Sequence, residues 1–246
     1  GTAPLAPVTL RHTSELRLDY ATGLLATNKL EGYGGQGRWN DDTPITLDNS
    51  TLRLIGNRDI EITETVGDLT VKNQGFVISQ RDYQNRTTTL VIGNGGGADL
   101  VRTQALSANV LAIAGNNATL QINSANANQF QLGSDERVKL AGGVASIPGG
   151  VFNGMVAPWM VNGTDVQFLT YTADNGFVNA GFDGIRSGAL GITSVPAERT
   201  FINAASSMIG GSGLALDTYA LRLETGDMTF ASGSPLATDR IQVRSG

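Results

Sequence analysis

The chain has no cysteine and one histidine, His12. Disulfides and thiolate metal sites are therefore excluded, and a histidine-rich metal site is excluded by count. The missing cysteine does not mark a reducing compartment, because a long secreted chain with a large repetitive core can do without disulfides. A Ser-His-Asp relay would have to use His12, and the G-x-S-x-G elbow that would place its serine does not occur. His12 reads instead as a polar residue near the N-terminal edge. Aromatics make up only 6% and charged residues 16% of the 246 residues. The core must then be built from Leu, Ile, Val and Ala, which suits many thin layers better than one bulky centre. There is no Lys/Arg run, and the net charge is −5 with a pI near 4.9. Phosphate-backbone binding and polybasic membrane contact both need concentrated positive charge, so neither nucleic acid nor a membrane surface is the expected partner. No stretch approaches the ~20 apolar residues of a membrane span. The chain opens on Gly1 with no basic-then-apolar leader, from which a processed chain or a segment of a longer one is expected.

What is present is glycine, 32 residues of it without a collagen-like period, and short alternating apolar runs. Residues 51–71, TLRLIGNRDIEITETVGDLTV, read as three strands in a row: Leu52 and Leu54, then Ile60 and Ile62, then Val66, Leu69 and Val71 around a Gly67-Asp68 turn. Alternation at period two with β-branched residues argues strand, because successive side chains of an extended chain point to opposite faces. Further strands are expected at 15–20, 76–79, 88–93, 109–114, 118–123, 137–140, 167–171, 191–194, 219–224, 227–230 and 241–243. No window has a helical period, and 198–208 is the nearest, with a short helical turn. Residues 31–44, EGYGGQGRWNDDTP, form a loop excursion from the scaffold, marked by glycines, Trp39 and paired aspartates.

One pattern recurs irregularly: a small or polar residue, then apolar-x-apolar, then a turn signal, as in ELRLDY, TLRLIGN, TLVIGN, ATLQINS and ALRLETG. Structures that stack one supersecondary unit on the next show such degenerate repetition. An antiparallel sandwich or barrel and a parallel β-solenoid both fit. Slim aliphatics and the rarity of proline and long charged residues inside strands favour the solenoid. Asn-Gly at Asn94, Asn153, Asn162 and Asn175 is a hairpin signal that points the other way, although none of the four sits cleanly between two alternating strands. The expected fold is all-β, a right-handed parallel β-helix running through 1–246 as one segment. At roughly 20–25 residues per coil it would have about ten coils rising ~4.8 Å each, on the order of 50 Å in all.

The central stretch resembles the autotransporter-associated β-strand repeat family of bacterial secreted surface proteins. The likeness is carried by LRLDYATGLLATNKL at 16–30, by TLRLIGN followed by TETVGDLTV at 63–71, and by GGVFNGMVAPWMVNGTDVQFLTYTADNGFV at 149–178. It departs from the family pattern at 58–62, where a strand-like RDIEI replaces a small-residue spacer, and at Val166-Gln167. The resemblance implies a right-handed parallel β-helix on the cell exterior, acting as scaffold, adhesin or surface fibre, and it carries over no catalytic residues.

Of the chemistry-bearing residues, Asp41 and Asp42 lie in the 31–44 loop beside Tyr33 and Trp39. Paired carboxylates with aromatics that stack on sugars are the equipment of a glycan site, so these four form the candidate ligand-contact loop. Adjacent carboxylates in a strand would point to opposite faces, and a solvated Asp-Asp-Thr-Pro turn is the competing reading. Residues 94–102, NGGGADLVR, resemble one unit of a calcium nonapeptide, but calcium in such rolls is shared between successive turns and one unit lacks half the ligands. The N-x-S/T triplets at Asn49, Asn85, Asn117 and Asn162 read as turn residues, and Trp159 as a large residue covering a seam or coil end. No catalytic residue, cofactor or metal is expected. The expectation is a non-enzymatic, extracellular or cell-surface β-solenoid of structural or adhesive function, associating with itself end to end through open strand edges, with surface glycans as a further partner. The alternative is a polysaccharide-binding or polysaccharide-cleaving β-helix protein.

Overall fold

The computed structural model describes residues 6–21, 39–82, 86–94, 98–103, 118–125, 132–182, 184–186, 195–202, 206–209, 216–223, 227–230 and 241–243. The chain divides into two compact units, Gly1–Ala180 and Gly181–Gly246. Regular structure among the described residues is all β, apart from a 3-10 turn at Gly143–Ser146. The first unit holds β1 (Val8–Arg11), β2 (Glu15–Asp19), β3 (Ile45–Ile55), β4 (Ile62–Val66), β5 (Leu69–Gln80), β6 (Thr88–Ile92), β7 (Leu100–Thr103), β8 (Thr119–Ser124), β9 (Glu136–Leu140), β10 (Val151–Phe152), β11 (Met155–Val156), β12 (Met160–Asn162), β13 (Gln167–Thr172) and β14 (Gly176–Asn179).

Among the described residues, strands β1 to β9 pair with one another only in parallel, in three ladders. The first joins β1, residues 45–48 of β3, 69–72 of β5, and β7. The second joins β2, residues 50–55 of β3, 74–80 of β5, and β8. The third joins β4, β6 and β9. Long strands β3 and β5 thus each serve two ladders, and each bends between them at a left-handed asparagine, Asn49 (φ 56°) and Asn73 (φ 55°). Asparagine is among the few residues that enter that region cheaply. The bends are tied together: Thr13 N–H donates to the Asn49 carbonyl at 2.6 Å, and Asn73 Nδ2 donates to Asp48 Oδ1 at 2.7 Å.

Register converts alternation into stacking. Ile45, Leu69 and Leu100 share one register column, and Leu52, Val77 and Ile122 another. All six are buried in one hydrophobic cluster, and burying a side chain of this size stabilises by roughly 1.5–3 kcal/mol relative to exposure. At the Gly67-Asp68 corner the backbone approaches its neighbour closely. A Cβ on Gly67 would lie 2.5 Å from both the carbonyl carbon and oxygen of Thr43, so only glycine fits.

The strand limits correct two expectations for 51–71. Ile60 lies outside any strand, and Val66 closes β4 rather than opening the next strand, because β4 ends at the Gly67-Asp68 corner. The uniformly parallel expectation is also corrected, at 151–179. Strands β10 and β11 form an antiparallel hairpin through Asn153 (φ 46°) and Gly154 (φ 67°), both left-handed as a two-residue primed turn requires. Strand β12 adds in parallel to β8, and β13 and β14 then continue antiparallel. Asn153, Asn162 and Asn175 all stand at these connections, so the hairpin signal discounted in part from the sequence holds at these three positions, while the Gly after Asn94 lies outside the described residues.

In the second unit, β15 (Gly184–Arg186), β16 (Val195–Ile202), β18 (Leu216–Leu223) and β20 (Ile241–Val243) form a parallel sheet, and β17 (Ser206–Ile209) pairs in parallel with β19 (Asp227–Phe230). Where a helical turn was expected at 198–208, the described residues 198–202 and 206–208 are strand: Val195, Phe201 and Ile202 are β-branched or aromatic, and pairing of β16 on both sides overrides a weak local preference. The strands expected at 109–114 and 191–194 lie outside the described residues.

Candidate functional site

The third ladder carries the unusual chemistry. Its inward positions run Ile62, Thr88, Glu136 in one register column and Glu64, Leu90, Val138 in the next. Glu64 and Glu136 are each 0% exposed. A buried carboxylate is tolerated only when hydrogen-bonded, and both are. Tyr20 O–H donates to Glu64 Oε2, and Trp39 N–H donates to Glu64 Oε1 at 2.8 Å. Glu136 accepts from Arg81 N–H at 2.8 Å and from Ala125 N–H at 2.9 Å. Each glutamate therefore ties together two distant chain segments at the core edge. Burial pushes the Glu136 carboxyl up to about 7; its two N–H donors and Arg81 pull the other way, and Asp135 adds to the rise. Arg81 is itself buried and pairs with Asp135 at 2.7 Å.

Of the four residues of the expected ligand-contact loop, Tyr33 lies outside the described residues. Trp39 is half-buried against the core. Asp41 and Asp42 share one tight turn in which Asp42 N–H donates to Asn40 Oδ1 at 2.9 Å and Thr43 N–H to the Asn40 carbonyl at 3.0 Å. Trp39 Nε1 and Asp41 Oδ1 are buried without a hydrogen-bond partner among the described residues. Burial first, and the neighbouring Asp42 second, hold the Asp41 carboxyl above its ordinary value. The aspartates are sequence neighbours in a turn, not carboxylates facing each other across a cleft.

Asp99 of the calcium-like segment is buried and accepts from Gly142 N–H at 2.6 Å. No group of three or more His, Asp or Glu side chains suited to a metal occurs among the described residues. Trp159 is buried with the Arg102 guanidinium 5.2 Å from its ring centre, beside the end of the first ladder at β7. No helix among the described residues is long and apolar enough to cross a membrane.

The outer face of the third ladder presents the alternate residues: Thr63 beside Thr89 beside Arg137, and Thr65 beside Val91 beside Lys139. A groove of about 500 Å³ lies on this face, walled by Ala141, Gly143, Tyr171 and Ala173. The wall is fixed by Tyr171, whose hydroxyl accepts from Leu140 N–H at 3.0 Å and donates to the Leu140 carbonyl at 3.3 Å. Sequence reasoning missed both sides of this ladder. Parity held the signal for one: Glu64 shares the phase of Ile62 and Val66, and Glu136 that of Val138 and Leu140. The groove had none, since its wall comes from residues far along the chain. In comparisons with known proteins, no family model, curated protein or solved structure matches the chain.

Proposed function

We propose that the three ladders are the faces of a right-handed parallel β-helix, and that the protein is an extracellular structural or adhesive β-solenoid rather than an enzyme. One observation carries this reading. The chain visits the ladders in the same order, first, second, third, through 45–66, 69–92 and 100–140, which is how successive coils of a solenoid are laid down. The right hand follows from the general handedness of parallel crossovers. The likeness to autotransporter-associated repeats points to the same display on a bacterial surface. Among the described residues β1 pairs on one side only, with β3; such a strand edge can add a strand from a second copy, which makes end-to-end association the natural route to a fibre. Electron microscopy of the purified protein tests this: filaments growing with protein concentration support it, and monodisperse short particles at every concentration sink it.

A second reading, a polysaccharide-binding or polysaccharide-cleaving β-helix protein, draws on Trp39, Asp41 and Asp42 and on the raised Asp41 carboxyl. Cleavage at that turn requires that Asp42→Asn abolish glycan turnover.

A further inference from the structure

We infer that the groove on the outer face of β4, β6 and β9 binds a carboxylated polysaccharide. The proposal deepens the polysaccharide reading but places the ligand at a site remote in sequence from the 39–44 turn, and it involves no cleavage.

Among the described residues the groove is lined by two cations and no acid: Arg137 and Lys139 stand with Thr63, Thr89 and Tyr171, in a protein of net charge −5. Neither cation forms an ion pair among the described residues, where the bridges go to Arg11, Arg17, Arg53 and Arg81. Both heads are aimed by carbonyls. Arg137 Nε donates to the Ser134 carbonyl at 2.8 Å, and Lys139 Nζ to the Asp174 carbonyl at 3.3 Å. Among the described residues the remaining guanidinium N–H groups of Arg137 and two ammonium protons of Lys139 have no further partner. The two residues are two apart on one strand, so their side chains leave the same face about 7 Å apart.

The shape favours a long ligand. Arg137 also borders a second depression of about 430 Å³, lined with Ser134, Asn175 and Asn179. A chain lying across Arg137 would reach both hollows. The hydroxyl of exposed Thr63 and the amide of half-buried Asn175 supply hydrogen-bonding partners for sugar hydroxyls, and the guanidinium fork matches a carboxylate. Nucleic acid fits less well. Neither lining offers an open aromatic face for a base to stack on, since Tyr171 is buried and its hydroxyl is committed to Leu140.

The test is equilibrium binding of polygalacturonate oligosaccharides to the full chain, with dextran, polyglutamate and single-stranded DNA as comparison probes. Saturable binding to polygalacturonate that weakens with added salt is expected. Arg137→Ala/Lys139→Ala should lower affinity roughly tenfold, and Thr63→Val should lower it less. Circular dichroism and a thermal melt show whether the variants keep the fold, and their half-exposed outer side chains make that the expected result. Equal binding by dextran, tighter binding by polyglutamate or DNA, no binding, or an affinity untouched by the double substitution in a folded variant overturns the proposal. Failure of the turnover assay with Asp42→Asn leaves this binding intact, so the two readings fall separately.

Discussion

Raising the pH from 4.5 to 7.5 should destabilise the first unit through one side chain, Glu136. Its carboxyl is pushed up to about 7 in the folded chain against 4.5 ordinarily, so the folded state binds the proton more tightly than the unfolded state. For an acid raised in this way, the stabilisation is complete below pH 4.5. It declines as pH climbs through the window between the two values and is gone above about 7. A gap of about 2.5 pH units corresponds to about 3 kcal/mol. Urea unfolding followed by tryptophan fluorescence at intervals from pH 4.5 to 8 reads this directly, with the midpoint moving down at constant slope. Asp41 and Asp68 also titrate from raised values, so the comparison protein is Glu136→Gln, which keeps both aspartates. The amide turns a donor toward one of the two N–H groups that Glu136 now accepts from, so the variant should be weaker by about 1–3 kcal/mol at pH 5. The gap should narrow toward pH 8. Stability curves of the two proteins running parallel from pH 5 to 8 would refute the placement of Glu136 as a buried, proton-holding group.

Three further substitutions test particular contacts by chemical denaturation. Gly67→Ala should cost about 3 kcal/mol, because the added Cβ meets Thr43 backbone and not a side chain that can swing away; an unchanged midpoint would mean the corner is not packed as described. Val166→Asn should stabilise by about 1 kcal/mol, since Val166 is a β-branched residue at φ 51° and 61% exposed, and asparagine accepts that conformation. Tyr20→Phe should destabilise by about 1–3 kcal/mol by taking a donor from the buried Glu64 carboxylate, and a neutral result would show that Glu64 is satisfied without it.

The all-β class was written in the local pattern. TLRLI, TTLVI and RVKL alternate at period two and stop at turn residues, and this decides strand without reference to any partner. The same parity groups Leu52 with Leu54 on one face, which is the buried one. It also held the two buried glutamates, hidden because charge is ordinarily read as outward. Asn153-Gly154 spelled its hairpin in two residues, since few pairs accept left-handed backbone twice in succession. What local pattern could not decide was pairing. Whether β3 lies beside β5, 24 residues on from Ile45 to Leu69, depends on loop closure and on which apolar columns stack best; neither is a property of any short window. The groove is a pairing result in the same sense. Arg137 and Lys139 are ordinary surface cations in sequence. They become neighbours of Thr63, Thr89 and Tyr171 only because β4, β6 and β9 align in register and Tyr171 locks onto Leu140. Residue type and alternation determined what each strand can do, and the long-range register decided which of those abilities face one another.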